Sequence, residues 1–147
     1  MSKERLYIFD TTLRDGAQTQ GVHFSLDEKT KIAHALDALG VDYIEGGWPG
    51  ANPSDTEFFQ KGLNLKNSTF TAFGMTKKAG RSAENDPGLS SILNSNTTSV
   101  CLVGKAWDFH VDVALGISKE ENLENISETT KHFVKNNKEF MFDAEHF

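Results

Sequence analysis

Short apolar runs separated by longer amphipathic segments are the dominant pattern along the chain. Each run holds three or four nearly continuous apolar residues, which is typical of a buried parallel strand covered on both faces. The centres of the runs lie 28 to 40 residues apart, and this spacing is the size of a βα unit. The pattern predicts five strands, at residues 6–9, 41–44, 70–73, 100–103 and 140–142.

Capping signals between these runs predict the helices. Ser25 followed by Glu28 forms a capping box, in which each side chain accepts a hydrogen bond from the backbone amide of the other residue. Apolar residues then recur on one face until Gly40, which favours the left-handed conformation that ends a helix. Three further helices are predicted: two with the same Ser-x-x-Glu start, at residues 54–57 and 118–121, and a weaker one disturbed by a Pro-Gly pair, over residues 83–93.

The alternation of strands and helices fits two architectures. Five βα units are enough for a flavodoxin-like open sheet with helices on both faces. They also fit the first part of a (β/α)₈ barrel, whose full length is typically about 250 residues. Spacing alone does not separate the two, but the last strand is followed only by residues 143–147, without a covering helix. This ending speaks against a complete flavodoxin-like sheet, and the alternative is the first part of a barrel.

Composition and charge narrow the class of protein. The chain has 147 residues, with 21 acidic against 15 basic side chains and a formal net charge of −6, whereas nucleic-acid backbones are bound by clustered positive charge. No apolar run approaches the roughly 20 residues that a membrane helix needs. The N-terminus lacks the apolar core of a signal peptide, and a single cysteine cannot form an internal disulfide. The expectation is a cytoplasmic protein that contacts neither nucleic acid nor a membrane.

Charged residues follow several predicted strands, at the end where the loops of a parallel sheet converge. Arg14 and Asp15 follow the first strand, Glu45 follows the second, and Asp143 and Glu145 follow the fifth. Several acids beside one arginine repel one another unless a cation joins them. The pattern therefore predicts a hard divalent metal with oxygen ligands. The rival interpretation is that each acid only caps a helix or a turn.

The segment after the first strand reads Asp-Thr-Thr-Leu-Arg-Asp-Gly at residues 10–16. It resembles the signature of the metal-dependent aldolase and Claisen-condensing barrels, a family that includes isopropylmalate, homocitrate and citramalate synthases and hydroxymethylglutaryl-CoA lyase. Residues 41–50 and 106–111 are most similar to the citramalate synthase subgroup. Many relatives have an acid where Ala17 stands, and this difference counts against isopropylmalate and homocitrate synthases. The resemblance covers essentially the whole chain, and it implies that residues 1–147 are a partial catalytic TIM-barrel domain, truncated after its fifth strand.

The resemblance implies an acyltransferase that joins acetyl-CoA to a 2-oxo acid, with pyruvate giving citramalate in branched-chain amino-acid biosynthesis. Arg14 is then a catalytic residue that stabilises enolate or alkoxide charge, and Glu145 is a catalytic carboxylate that helps to remove a proton from the acetyl methyl group. Asp15 is implied as a ligand of a divalent metal that polarises the ketone. Three further residues are implied beside the substrate or the metal: Gln18, Glu45 and His146.

The resemblance also indicates what this segment lacks. The family places a His-x-His pair of metal ligands near the end of the seventh strand, beyond residue 147. His23, His110 and His146 have neither that spacing nor a helical i, i+4 spacing, so we do not expect them to substitute. The 147-residue chain is therefore expected to be inactive by itself. Oxygen ligands admit Mg²⁺ or Mn²⁺ and an added His pair admits Zn²⁺, and full-length members of the family are commonly homodimers.

Two alternatives stay open. The nearer one is an isopropylmalate or homocitrate synthase, which differs in the oxo-acid side chain that it accepts. The other is a non-catalytic binding or interaction module derived from such an enzyme, in which the uncovered fifth strand pairs with another chain.

Overall fold

Five parallel strands with intervening helices make up the part of the chain that the computed structural model describes, residues 4–147. The strands are β1 Phe9–Asp10, β2 Tyr43–Glu45, β3 Thr69–Met75, β4 Ser99–Lys105 and β5 Glu139–Glu145. The helices are α1 Leu26–Leu39, α2 Pro53–Lys61, α3 Pro87–Leu93, α4 Asp108–His110 and α5 Lys119–Lys135. A π-helical turn, Val111–Leu115, directly follows α4.

Strand order separates the two architectures that the sequence left open. A flavodoxin-like sheet has the order 2-1-3-4-5, with the first strand inside the sheet. In this chain the order is β1-β2-β3-β4-β5 and each adjacent pair is parallel. Every βα unit therefore adds its strand on the same side of the sheet, as in a (β/α)₈ barrel. The predicted N-terminal part of a TIM barrel is confirmed, in the form of a half-barrel.

The two faces of the sheet differ in polarity. Successive side chains of a strand point to opposite faces, and alternate residues of β2, β3 and β4 join one apolar core with residues of α1, α2, α3 and α5. The strand residues of this core are Ile44, Phe70, Ala72, Val100 and Leu102, and the helix residues are Ala33, Phe58, Phe59, Leu89, Ile92 and Phe133. By the same alternation, the inner face carries Tyr43, Glu45, Thr71, Phe73, Ser99, Cys101, Glu139, Met141, Asp143 and Glu145.

The predicted burial on both faces holds for β3 and β4 but not for β5, which has no buried residue. In β5 the sequence Glu-Phe-Met-Phe-Asp-Ala-Glu alternates with a period of two, which is the pattern of a strand with one apolar face. The short apolar runs in the sequence concealed this period. As a consequence, charged groups at the carboxyl ends of the strands lie on the inner side of the half-barrel, where a site can form.

Two predicted helix starts are confirmed. The capping box of Ser25 and Glu28 begins α1, and Gly40 ends that helix in the left-handed region with a φ of 88°. Ser118 caps α5 by accepting a hydrogen bond from the amide of Glu121.

The first residues of α2 and α3 and the extent of β1 differ from the prediction. The cap of α2 is Asn52 rather than the predicted Ser54, because Pro53 suits the first helical position and the Asn52 side chain accepts from the amide of Asp55. Pro87 likewise begins α3 instead of disturbing it, with Asp86 as its cap. Only Phe9–Asp10 pair as β1, and residues 6–8 are exposed.

Asp37 near the end of α1 fixes the loop that leads into β3. Its buried carboxylate accepts hydrogen bonds from the backbone amides of Lys66, Asn67 and Ser68, at distances of 2.8 to 3.1 Å. These donors stabilise the ionised form, and they lower the pKa of Asp37 to about 2.

The pKa of Asp37 predicts an acid-dependent stability. An aspartate in the unfolded chain has a pKa of about 3.9, so the stabilising contribution is complete above about pH 4 and is lost as the pH falls towards about 2. We expect Asp37→Asn to be less stable than the wild type at pH 7, with the difference shrinking at lower pH. Urea unfolding followed by circular dichroism at several pH values measures this. The control is Glu124→Gln, a substitution at an exposed position of α5. A stability difference between Asp37→Asn and wild type that stays constant with pH contradicts the lowered pKa of Asp37.

Candidate active site

A tight turn after β1 presents Arg14 and Asp15. The carbonyl oxygen of Thr11 accepts hydrogen bonds from the amides of Arg14, Asp15 and Gly16, at 3.1, 2.8 and 3.1 Å. Leu13 within this turn is fully buried and joins the apolar core. The apolar anchor and the three amide bonds give the turn one conformation, so the two charged side chains leave the backbone in fixed directions.

Arg14 lies at the centre of the first charged cluster. Its Nε donates to Oε2 of Glu45 at 2.6 Å, and its terminal guanidinium nitrogen donates to Oδ1 of Asp15 at 3.1 Å. The guanidinium carbon lies 4.0 Å from the centroid of the Phe73 ring, a cation–π distance. Carboxylates on two sides and an aromatic ring below therefore hold the positive charge of Arg14 in place.

Glu45 is the buried acid of this cluster. It ends β2 and its side chain is 1% exposed. Burial raises the pKa of Glu45 above its ordinary value; the charge of Arg14 opposes this rise, and the carboxylates of Asp143 and Asp15 add to it. A cavity of about 530 Å³ opens above the cluster on the inner face, lined by Phe9, Thr11, Arg14, Glu45, Cys101, Met141, Phe142 and Asp143.

A buried ion pair behind the cluster holds the loop that follows Glu45. Lys29 of α1 is 4% exposed, and its Nζ contacts Oδ1 of Asp55 at 2.5 Å and the carbonyl oxygen of Gly46 at 3.1 Å. The other carboxylate oxygen of Asp55 accepts from the amide of Trp48 at 2.9 Å. A Cβ atom on Gly47, whose φ is 142°, would lie 2.6 Å from the Asp55 carboxyl carbon. The close approach therefore requires glycine at this position.

Glu145 belongs to a second charged cluster. It forms a salt bridge with Lys105, its partner in the register of β4 and β5, and Nε2 of His146 lies 3.6 Å from its Oε1. The rings of His146 and His110 meet edge to face, with centroids 4.6 Å apart. The hydrogen bond and charge of Lys105 lower the pKa of Glu145 below its ordinary value. The lowered pKa keeps the Glu145 carboxylate ionised at neutral pH.

Buried polar atoms and a thiol complete the description of the inner face. Nδ1 of His110 is buried without a hydrogen-bond partner among the residues described, as is the hydroxyl oxygen of Ser99. Burial raises the pKa of the Cys101 thiol to about 12, so this cysteine behaves as the small core residue that its position in β4 indicates.

The structure divides the predicted site residues into three groups. Arg14 contacts both Asp15 and Glu45, whereas Glu145 and His146 lie in the second cluster with Lys105 and His110. Gln18 is exposed and lines a separate cavity of about 300 Å³, which Arg14 also borders. Sequence reasoning did not select Lys105 or Phe73, because their importance depends on strand register, which the local sequence does not encode.

The described residues do not by themselves complete a metal site. Over residues 4–147, no group of three or more His, Cys, Asp or Glu side chains is placed to hold a metal ion. The side chain of Asp15 is 63% exposed and its carboxylate is paired with Arg14. A protein-held cation normally draws several ligands from separate elements, so Asp15 alone does not satisfy this requirement.

A larger cavity, of about 610 Å³, is lined by no residue of either cluster, but its lining residues Asn122 and Trp48 each contact one cluster residue. It lies between the loop after β3 and the turn after α4, and its wall is mainly apolar with two buried amides, those of Asn122 and Asn125. The Asn122 side chain donates to the carbonyl oxygen of Lys105 at 3.0 Å. On the other side, the rings of Trp48 and Phe73 meet edge to face, with centroids 5.5 Å apart.

Over residues 4–147, no helix has the length and apolar character needed to cross a membrane.

Comparisons with known proteins agree with this arrangement. The model of the HMGL-like family matches residues 5–147. The (R)-citramalate synthase of Aquifex aeolicus is 49% identical over 146 residues, which are 98% of this chain and 28% of that protein. The 2-isopropylmalate synthase 1 of Caldanaerobacter subterraneus is 34% identical over 146 residues, 99% of this chain and 36% of that protein. The HMG-CoA lyase of Bacillus subtilis shares the fold, with a TM-score of 0.73 at 20% identity over 95% of this chain and 46% of its own.

Fold and site together define a (β/α) half-barrel with charged residues converging at the carboxyl ends of its strands. The chain belongs to the HMGL-like family. It spans about 28% of the length of the citramalate synthases that it matches.

Proposed function

We propose that the protein to which this chain belongs joins acetyl-CoA to a 2-oxo acid, with pyruvate as the preferred acceptor and citramalate as the product. The observation that carries the proposal is the guanidinium of Arg14, fixed between Glu45 and Asp15 at the mouth of the half-barrel. The higher identity to a citramalate synthase, 49% against 34% for an isopropylmalate synthase, supports pyruvate as the acceptor.

The condensation requires a base and a fixed positive charge. In the proposed reaction, the carboxylate of Glu145 accepts a proton from the acetyl methyl group, and the resulting enolate carbon forms a bond to the ketone carbon of the oxo acid. The ketone oxygen becomes an alkoxide and takes up a proton, and water then hydrolyses the thioester to release CoA as the thiol. Arg14 stabilises the negative charge that develops on oxygen, because its guanidinium is held in place before the reaction.

The substrate residues are assigned by their positions. Glu45 holds Arg14 and borders the cavity of about 530 Å³ in which we place the oxo acid. His146 adjoins Glu145 and is assigned to the acetyl group. Gln18 lies further out, beside Arg14, and is assigned to orienting the substrate or water at the entrance.

The cavity of about 610 Å³ suits the acyl-thioester arm of acetyl-CoA. An apolar wall with buried amides fits a chain that alternates methylene and amide groups, and small-molecule sites are commonly of this size and character. One lining residue, Asn122, donates to the carbonyl oxygen of Lys105, the strand partner of Glu145, and this link supports the assignment.

We also propose Asp15 as the single ligand that this chain contributes to a divalent metal, Mg²⁺, Mn²⁺ or Zn²⁺, whose other ligands lie in segments outside residues 4–147. Residues 1–147 then form part of a longer catalytic barrel, and the complete protein is a cytoplasmic homodimer that binds small molecules rather than nucleic acid or membranes. The share of the relatives' length that the chain spans, 28%, supports a longer barrel.

An assay of acceptor specificity tests the proposal. The complete product of the gene that encodes this chain is mixed with acetyl-CoA and a divalent metal, and release of the CoA thiol is followed with pyruvate, 2-oxoisovalerate or 2-oxoglutarate. We expect kcat/KM with pyruvate to exceed the others by roughly tenfold to a hundredfold, because the larger acceptors carry extra groups. Acetyl-CoA without an acceptor is the control, and mass spectrometry identifies the product. Preference for 2-oxoisovalerate points to isopropylmalate synthesis, and no release with any acceptor supports a non-catalytic module.

A further inference from the structure

Lys105 has a position that no other lysine in the described residues shares. It ends β4 directly opposite Glu145 at the end of β5, and the two side chains form a salt bridge. The backbone at both residues is held as well. The Asn122 side chain of α5 donates to the carbonyl oxygen of Lys105 at 3.0 Å, and the amide of Ala106 donates to the carbonyl oxygen of Glu145 at 3.2 Å.

The Lys105–Glu145 pair is partly exposed. The side chain of Lys105 is 17% exposed and that of Glu145 is 34% exposed, so both remain accessible from the inner face. The other charged or titratable groups facing Glu145 are two histidines. His146 approaches within 3.6 Å, and His110 packs against the His146 ring.

We propose that Lys105 is a positioning residue for Glu145, which it holds ionised and in one orientation at the ends of β4 and β5. This inference rests on the proposed function, in which Glu145 accepts the proton of the acetyl methyl group. A glutamate side chain has several rotatable bonds, and a base acts only within hydrogen-bond reach of the proton that it removes. A charged partner on the neighbouring strand removes much of that freedom and keeps the carboxylate ready across the neutral pH range.

The first test uses the pH dependence of catalysis in the complete gene product. We expect Lys105→Met to lower kcat roughly tenfold, part of the contribution of a positioned base, with little change in KM for pyruvate. We also expect the acidic limb of the kcat profile to move to higher pH, because Glu145 loses the cation that favours its ionised form. Lys105→Arg keeps the charge and should restore the position of that limb.

A matched lysine serves as the control. Lys119 forms a salt bridge with Asp108 at 2.9 Å on the exposed surface near the start of α5. Lys119→Met removes the same charge from the same type of pair, and we expect kcat and the acidic limb to stay unchanged. An acidic limb that is the same in Lys105→Met and in wild type overturns the inference, since it shows that Lys105 does not control the ionisation of the base.

A second readout separates this inference from the proposed function. Protein labelled with ¹³C at the glutamate side-chain carboxyl carbon is titrated by NMR, and Glu145→Gln assigns the signal of Glu145. We expect the Glu145 signal to titrate at higher pH in Lys105→Met than in wild type and Lys105→Arg. This result supports the control of Glu145 by Lys105 even in a protein without condensation activity. An unchanged titration refutes the inference whatever the activity.

Discussion

Replacement of Arg14 by methionine is expected to lower kcat/KM for condensation with pyruvate by roughly 10²–10³-fold, the usual effect of removing one fixed donor to a developing oxyanion. The guanidinium lies at the inner mouth of the half-barrel, between Glu45 and Asp15. Arg14→Lys should recover only part of the loss. A lysine keeps the charge but lacks the planar fork that donates to both carboxylates. Thiol release from acetyl-CoA measures all of these variants.

Arg5 offers a matched control for the Arg14 variant. Its guanidinium also pairs with a carboxylate, that of Asp42, and also lies over an aromatic ring, that of Tyr7, but it sits before β1, at the opposite end of the strands. We expect Arg5→Met to leave kcat/KM nearly unchanged. Catalysis at the wild-type rate by folded Arg14→Met contradicts the proposed function of the arginine.

Folding must be followed in the same experiment, because Arg14 neutralises the buried carboxylate of Glu45. In Arg14→Met this carboxylate loses its partner. The double variant Arg14→Met, Glu45→Gln removes the uncompensated charge as well. A double variant that is as stable as wild type by circular dichroism shows that any unfolding of Arg14→Met comes from the unpaired carboxylate of Glu45.

The fold was predictable from the sequence where the signal is local. The capping box of Ser25 and Glu28 specifies the start of α1, because all of its hydrogen bonds lie within four residues. The start of α2 was mispredicted because residues 52 and 54 are both good caps, and the following proline decides between them. Strand order is not local at all. The same βα spacing serves open sheets and barrels, and only the pairing of β3 with β2, rather than with β1, separates them.

The contacts of the candidate site were also predictable only where the signal is local in the sequence or follows from the order of the strands. Arg14 and Asp15 adjoin in sequence, and Glu45 follows the neighbouring strand, so their contact follows from the rule that parallel strands end at one edge. The salt bridge of Glu145 with Lys105 joins residues 40 positions apart, and only the register of β4 against β5 reveals it. The cluster of acids in the sequence predicted a metal cation between them. In the structure, Arg14 binds two of them and Lys105 binds a third.

Replacement of Lys29 by methionine is expected to lower the free energy of unfolding by about 3 kcal/mol, at the lower end of the values for breaking a buried ion pair. The side chains of Lys29 and Asp55 are 5% and 13% exposed. Methionine fills the space of the lysine stem but leaves the Asp55 carboxylate without its cation. Because domains of this size are stable by only about 5–15 kcal/mol, the effect should be obvious in urea unfolding followed by circular dichroism.

Two comparisons identify the cause of that loss. Lys31→Met removes another lysine of α1, one paired with Asp27 on the exposed side of the helix, and should change stability little because exposed pairs contribute little. Lys29→Met combined with Asp55→Asn should recover part of the stability, since the asparagine oxygen still accepts from the amide of Trp48 without a buried charge. If Lys29→Met has the same free energy of unfolding as wild type, packing alone holds α1 against the loop after Glu45. The observed contact of Lys29 with the carbonyl oxygen of Gly46 argues instead that the ion pair fixes the loop bearing the buried acid of the site.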